Sequence, residues 1–176
     1  MWRNPIKILL AGTVLTILSG WSSVPHFRVN LTNSIPRGLY RVTNSVYQRG
    51  EFVMLCIPPE WAALAKEREW VQSGSCPGKV MRAFKQIAAL PGDAVEITDS
   101  YVAVNGSLVP NTETKKVDSK GRAMPAFNRG TFTVKPGQVF LIATNAENSL
   151  DSRYMGPVPI TNLISTLHPV WVEREN

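Results

Sequence analysis

The chain has 176 residues, of which 44% are hydrophobic and 18% charged. This is enough for one domain with an apolar core, and the composition excludes a disordered chain. The net charge is +6, but Lys and Arg are scattered, with no run longer than Lys115-Lys116. The scatter argues against nucleic-acid binding and leaves anionic lipid or an acidic protein as partners for a basic chain.

Residues 1–24 differ from the rest, because two cations precede an apolar run in a segment without acidic residues. Arg3 and Lys7 come first, and the run ends at Trp21. This order predicts an export signal whose N-terminus stays in the cytoplasm. Residues 5–24 reach the length needed to span a bilayer. We expect an uncleaved membrane helix. The alternatives are a cleaved signal and a buried helix.

The rest of the chain, residues 25–176, is expected to form one mainly β, antiparallel domain. Short runs rich in β-branched and aromatic residues alternate with Gly, Pro and Asn turns. The expected strands are 38–43, 51–56, 79–89, 94–98, 101–104, 131–134, 138–144 and 163–173. Pro169 within the last of these predicts a sheet edge or a bulge.

Two segments depart from the strand pattern. Pro59 can begin a helix, and apolar residues at helical spacing follow it, which predicts a short amphipathic helix over 59–72 within an insertion at 58–76. Residues 107–130 are polar and contain several Pro and Gly residues, which predicts a long loop or flap.

The two cysteines, Cys56 and Cys76, flank the expected helix. No histidine stands at zinc-site spacing beside them, so we predict neither a metal nor a cofactor. In an oxidising compartment a disulfide between them would close the insertion. Two free buried thiols are the alternative.

A serine protease needs a base for its nucleophile. His26 and His168 have no acidic residue near them in the sequence, so a Ser–His–Asp triad is disfavoured. Ser34 lies in a turn stiffened by Pro36 and Gly38, close after the apolar run. An ordinary serine in a linker turn is the alternative.

A lysine can replace the histidine when it is neutral. Lys85 lies in an apolar strand beside Phe84 and Ile87, and burial there would lower its pKa from about 10.4. A lysine that points to solvent is the alternative. Asp151 and Arg153 would point the same way in an extended segment and brace a wall of the site. An exposed ion pair of little energetic value is their alternative.

Three segments in this order resemble the signal peptidase I superfamily. They are Ser-Ile-Pro at 34–36, Lys-Gln-Ile-Ala-Ala-Leu-Pro-Gly-Asp at 85–93, and Asn-Ser-Leu-Asp-Ser-Arg at 148–153. Gly-Glu-Phe-Val at 50–53 resembles the short strand between the first two boxes. Ser-Ile-Pro-Arg-Gly-Leu-Tyr from residue 34 resembles more narrowly the conjugative-transfer branch, whose members mature plasmid pilin.

The resemblance implies a signal-peptidase-like β fold and a Ser–Lys dyad. Ser34 would attack the scissile carbonyl, and neutral Lys85 would take its proton. The backbone N–H of Ser34 and the hydroxyl of Thr32 would bind the oxyanion. The remaining supporting residues that the resemblance implies are Ser149, which would orient the Lys85 amine, and the bracing pair Asp151 and Arg153.

One part of the last box departs from the family pattern. Leader peptidases carry Gly-Asp-Asn-Arg-Asp where this chain has Ala-Thr-Asn-Ala-Glu at 143–147, so no role is carried over to those positions.

The expected protein is therefore a peptidase anchored in the bacterial inner membrane with its catalytic domain in the periplasm. Its partners would be the bilayer and a membrane-inserted pilin precursor, which it would cleave and, as the resemblance implies, cyclise. A general leader peptidase and a non-catalytic assembly factor of the conjugation apparatus are the alternatives.

Overall fold

The computed structural model describes residues 26–125, 127, 129–146 and 149–173. The expected membrane helix within residues 1–24 lies outside these ranges. In the part of the chain that is described, no helix is long and apolar enough to cross a membrane. The described chain is built mainly of antiparallel strands with few helices, as the sequence predicted.

Eleven of the strands form two antiparallel sheets within the described residues. Numbered along the chain, the strands are β1 Phe27–Asn30, β2 Gly38–Thr43, β3 Phe52–Leu55, β4 Ser73–Cys76, β5 Ala83–Ala89, β6 Ala94–Ile97, β7 Val102–Val104, β8 Ser107–Val109, β9 Gly130–Thr133, β10 Gln138–Ile142, β11 Val158–Pro159 and β12 Leu163–Val172. The larger sheet has the order β1-β2-β12-β3-β5-β10-β11, and the smaller sheet has the order β8-β7-β6-β9.

The order of the larger sheet brings distant parts of the chain together. The last strand of the described residues, β12, lies between β2 and β3, and its pairing with β3 ends at Leu167. The register of β12 against β2 shifts between Pro169 and Trp171. Proline has no N–H to donate to the ladder, and the predicted bulge is confirmed. At Pro169 the strand pairs with β2 on one side only, because its register with β3 ends at Leu167.

The smaller sheet pairs the two expected strands 94–98 and 101–104 as a hairpin. Strands β6 and β7 pair antiparallel, and the next turn is made by Asn105 and Gly106 with φ of 50° and 79°. Strands β9 and β10 flank the turn at 135–137, but they belong to different sheets, so this turn passes the chain from one sheet to the other. Val95, Ile97 and Phe140 share the apolar core between these strands.

The insertion between β3 and β5 is more compact than predicted. Its helix α1 is Pro59–Glu67, which ends before the expected residue 72 because Glu69 takes a left-handed φ of 59°. The expected strand from residue 79 begins only at Ala83, because Pro77–Lys79 form a 3₁₀ turn. The insertion is closed by a disulfide between Cys56 and Cys76, whose Cα atoms are 5.5 Å apart.

The expected flap at 107–130 is tied to the insertion. The indole of Trp70 donates to Asp118 at 3.0 Å, and Arg68 donates to the carbonyl of Ala123. Arg122 forms an ion pair with the same Asp118 at 2.6 Å. These contacts, which we call the clasp, hold residues 118–123 against the end of α1.

Candidate active site

Ser34 lies between β1 and β2 in residues 31–37, here called the nucleophile turn. Its hydroxyl Oγ is 3.2 Å from the amine Nζ of Lys85 on β5. Lys85 also donates a hydrogen bond of 2.5 Å to the Oγ of Ser149, and the two serine oxygens are 3.2 Å apart. Three side chains from distant parts of the sequence therefore meet in one triangle.

The sheet buries the lysine that completes this triangle. Lys85 pairs with Val53 across β3 and β5, and its side chain is only 3% exposed. Burial lowers the pKa of Lys85 from its ordinary 10.5 to about 8, because the charged form loses its hydration. The nearby carboxylate of Asp151 raises this pKa, and the guanidinium of Arg153 lowers it. The alternative of a solvent-facing lysine does not match the structure.

Asp151 and Arg153 form a fully buried ion pair, with both side chains 0% exposed and 2.8 Å between their charged atoms. The prediction of an extended segment is wrong. Residues Ser152–Met155 form a short helix, α2, with Asp151 as its N-cap. The Asp151 carboxylate also accepts a hydrogen bond from the N–H of Ala143. Arg153 donates to the carbonyls of Glu113 and Ala146.

These contacts enclose the loop that carries Ser149. Asp151 holds Ala143 at one end of the loop, and Arg153 holds Ala146 further along. Asn148 of the predicted box lies outside the described residues. The pair is thus a brace for the loop instead of a surface ion pair, and its buried charges are matched by hydrogen bonds.

The nucleophile turn is fixed by two side chains that sequence reasoning did not single out. The amide of Asn30 contacts the backbone on both sides of Ser34. The hydroxyl of Tyr40 donates to the carbonyl of Pro36 at 2.6 Å, and burial raises the pKa of Tyr40 to about 12. Asparagine at the end of a strand before a turn is the one sequence signal that points to such a role.

Thr32 lies within the nucleophile turn, and its hydroxyl is hydrogen-bonded to the side chain of Asn30. Its hydroxyl donates to the Oδ1 of Asn30 at 2.8 Å. A threonine hydroxyl has one proton, so it must rotate before it can donate to a substrate oxygen.

The two histidines do not take part in the triangle. The hydroxyl of Ser34 is hydrogen-bonded to Lys85 and Ser149. His168 lies opposite Arg41 on an exposed part of β12, and His26 is exposed before β1. The structure therefore favours lysine over histidine as the partner of Ser34.

A buried lysine beside a serine on a mainly β scaffold is an arrangement for acyl transfer without histidine. The chain belongs to the signal peptidase family, peptidase S26, whose sequence profile matches residues 2–172. This membership identifies the class of protein as a peptidase.

Within that class, the chain is similar over nearly its whole length to proteins called TraF. It is 36% identical over 165 residues to the plasmid transfer protein TraF of Escherichia coli, covering 93% of each chain. It is 38% identical over 174 residues to the conjugal transfer protein TraF of Agrobacterium fabrum, covering 96% of each. A crystal structure of signal peptidase I from Enterococcus faecalis is similar with a TM-score of 0.42 and 21% identity, covering 70% of this chain and 98% of that one.

Proposed function

We propose that this chain is a membrane-tethered serine endopeptidase that uses Ser34 and Lys85 to mature a conjugative pilin precursor. The contact between the Ser34 hydroxyl and the buried Lys85 amine is the observation that carries the proposal. The similarity to transfer proteins named TraF supports the role in conjugation. The cations and apolar run of residues 1–24 support the tether.

The triangle suits proton transfer once Lys85 is neutral. A neutral amine has two N–H groups and one lone pair, so it can donate to Ser149 while its lone pair accepts the Ser34 proton. With a pKa of about 8, about a tenth of the lysines are neutral at pH 7, against less than a thousandth at an ordinary pKa. Burial therefore raises the fraction of competent base by more than a hundredfold.

The reaction then follows from these positions. Ser34 attacks the scissile carbonyl as Lys85 takes its proton, and the backbone N–H of Ser34 with the hydroxyl of Thr32 stabilises the oxyanion. Lys85 next gives its proton to the leaving amine, which leaves an acyl-enzyme on Ser34. Water or the N-terminal amine of the pilin itself can resolve this ester, and the second route gives a cyclic pilin.

The test compares Ser34→Ala and Lys85→Ala with two exposed control variants, Ser100→Ala and Lys135→Ala, in cells that carry the pilin gene. Mass spectrometry of the pilin should show only precursor with the first two variants and mature pilin with the controls. Mature pilin from either dyad variant would contradict the proposed chemistry.

The mass of the pilin and two further measurements separate the alternatives. A linear mature pilin, heavier by one water than the cyclic form, would reject cyclisation. Cleavage of ordinary preproteins after small-x-small sites would favour a general leader peptidase. Normal conjugation with stably expressed dyad variants would favour a non-catalytic assembly factor.

A further inference from the structure

Asn30 is the last residue of β1, where the chain leaves the sheet and enters the nucleophile turn. Its side chain is polar but only 3% exposed. The Oδ1 atom accepts hydrogen bonds from the N–H and the hydroxyl of Thr32, at 3.1 and 2.8 Å. The Nδ2 atom donates to the carbonyls of Thr32, Ile35 and Pro36, at 3.0, 2.9 and 3.1 Å.

These contacts use the whole hydrogen-bonding capacity of the amide. Its oxygen has two lone pairs and meets two donors, and its NH₂ group has two protons that are shared among three carbonyls. The opposite orientation of the amide would place its oxygen against those carbonyls, so Asn30 has one stable orientation. A buried polar network that is fully satisfied is rigid.

The five contacts lie on both sides of the nucleophile. Thr32 precedes Ser34, while Ile35 and Pro36 follow it, so one side chain links the two arms of the turn. Ile35 is itself 0% exposed and packs in a core with Tyr40 and Met54. The turn is therefore held by polar contacts from Asn30 and by apolar contacts beneath Ile35.

We propose that Asn30 is a positioning residue for the peptidase reaction, which rests on the proposed function of Ser34 and Lys85. It sets the position of the Ser34 hydroxyl and backbone N–H without contacting substrate. The distance from Ser34 Oγ to Lys85 Nζ is 3.2 Å, at the outer limit of a good hydrogen bond, so the geometry has little tolerance. A displacement of about 1 Å in such a site costs about 100-fold in rate.

The same amide also governs the second oxyanion donor. By accepting hydrogen bonds from the N–H and the hydroxyl of Thr32, Oδ1 of Asn30 fixes the position from which that hydroxyl must rotate toward substrate. Loss of Asn30 would thus disturb both proposed donors together, while Lys85 would keep its burial and its bond to Ser149.

The experiment compares Asn30→Asp with Asn162→Asp in the purified full-length protein. Each substitution replaces an NH₂ group by an oxygen that faces backbone carbonyls, and the amide of Asn162 donates to the carbonyl of Cys56, outside the nucleophile turn. Asn30→Ser is the milder second variant, in case the aspartate prevents folding. Cleavage of a pilin-precursor substrate gives kcat, KM and their pH dependence, and thermal unfolding gives Tm.

We expect either Asn30 variant to lower kcat about 100-fold with KM within about twofold of wild type. The midpoint of the pH profile of Asn30→Ser should stay at the wild-type value. Asn162→Asp should lower Tm but keep the wild-type kcat.

A purely structural role predicts a different pattern, in which Tm falls while kcat stays within about threefold of wild type. That result, or an equal loss of kcat in Asn162→Asp, would overturn the positioning role. Ser34→Ala is assayed in parallel. Activity in Ser34→Ala would refute the proposed function, whereas an inactive Ser34→Ala beside a fully active Asn30 variant refutes only the role of Asn30.

Discussion

At the scale of single residues, the site depends on how charge is buried around one amine. Lys85 loses hydration, Asp151 favours its protonated form and Arg153 opposes it. The ion pair of Asp151 and Arg153 is itself shielded from water. The balance among these three groups sets the pH at which the lysine loses its proton.

Asp151→Asn tests this balance. The substitution removes the carboxylate that pairs with the buried guanidinium of Arg153, so we expect a loss of about 3–5 kcal/mol in the free energy of unfolding. It also removes the carboxylate that raises the Lys85 pKa, so the rising limb of the pH–rate profile should move to lower pH. Denaturant unfolding and the pH–rate profile measure the two effects.

The double variant Asp151→Asn with Arg153→Met is the control, because it removes both charges. It should recover part of the lost stability. If Asp151→Asn alone unfolds like wild type, the pair does not brace the loop of Ser149.

At the scale of elements, the insertion supports the wall of the site. Ala62 and Ala65 of α1 are fully buried and share a core with Leu150 and Tyr154, which flank the Asp151–Arg153 pair. The clasp adds contacts from Trp70 to Asp118 on the flap, and hydrogen bonds from Arg122 lower the pKa of Asp118. The disulfide closes the insertion that carries α1 and Trp70.

Replacement of Cys56 and Cys76 together by serine tests that support. The 20-residue separation predicts a loss of about 3 kcal/mol through greater freedom of the unfolded chain. The thermal midpoint should fall by about 6–12 °C. Wild type with reductant should match the double variant, and the double variant should not respond to reductant. Equal midpoints in all four samples would show that the disulfide does not stabilise the fold.

Local sequence patterns predicted most elements but not their arrangement. The β-branched runs identified the strands, and Pro59 identified the start of α1, because these signals are local. The placement of β12 between β2 and β3 depends on contacts more than a hundred residues apart in sequence, for which no local signal exists.

The candidate site was predictable for a different reason. Ser34, Lys85 and Ser149 were identified through the order of three boxes, since neither serine nor lysine carries a distinctive local pattern. Asn30 was missed, because the sequence does not show that its amide will be buried inside the nucleophile turn.

At the scale of the whole molecule, the burial of Lys85 in the candidate site opposes folding. The folded-state pKa of Lys85 is about 8 and the unfolded value is 10.5. Between these values the unfolded chain binds more protons than the folded chain, so stability rises with pH. Below pH 8 both states are protonated, and burial of the ammonium costs about 3 kcal/mol.

Lys85→Met should therefore be more stable than wild type at pH 7, and the difference should shrink by up to about 3 kcal/mol between pH 8 and 10.5. Guanidinium unfolding of the full-length protein at several pH values measures this trend. The exposed variant Lys135→Met is the control and should show no such pH dependence. A constant difference between Lys85→Met and wild type would mean that burial does not perturb the lysine.

We propose that Lys85 acts as a neutral base, and the decisive measurement is the pH dependence of kcat/KM for precursor cleavage. Because the pKa of Lys85 is about 8, kcat/KM should rise tenfold per pH unit below that value and level off above it. A rate that still rises at pH 10, as for an ordinary lysine, would contradict the account, and so would a rate that is flat from pH 5 upward.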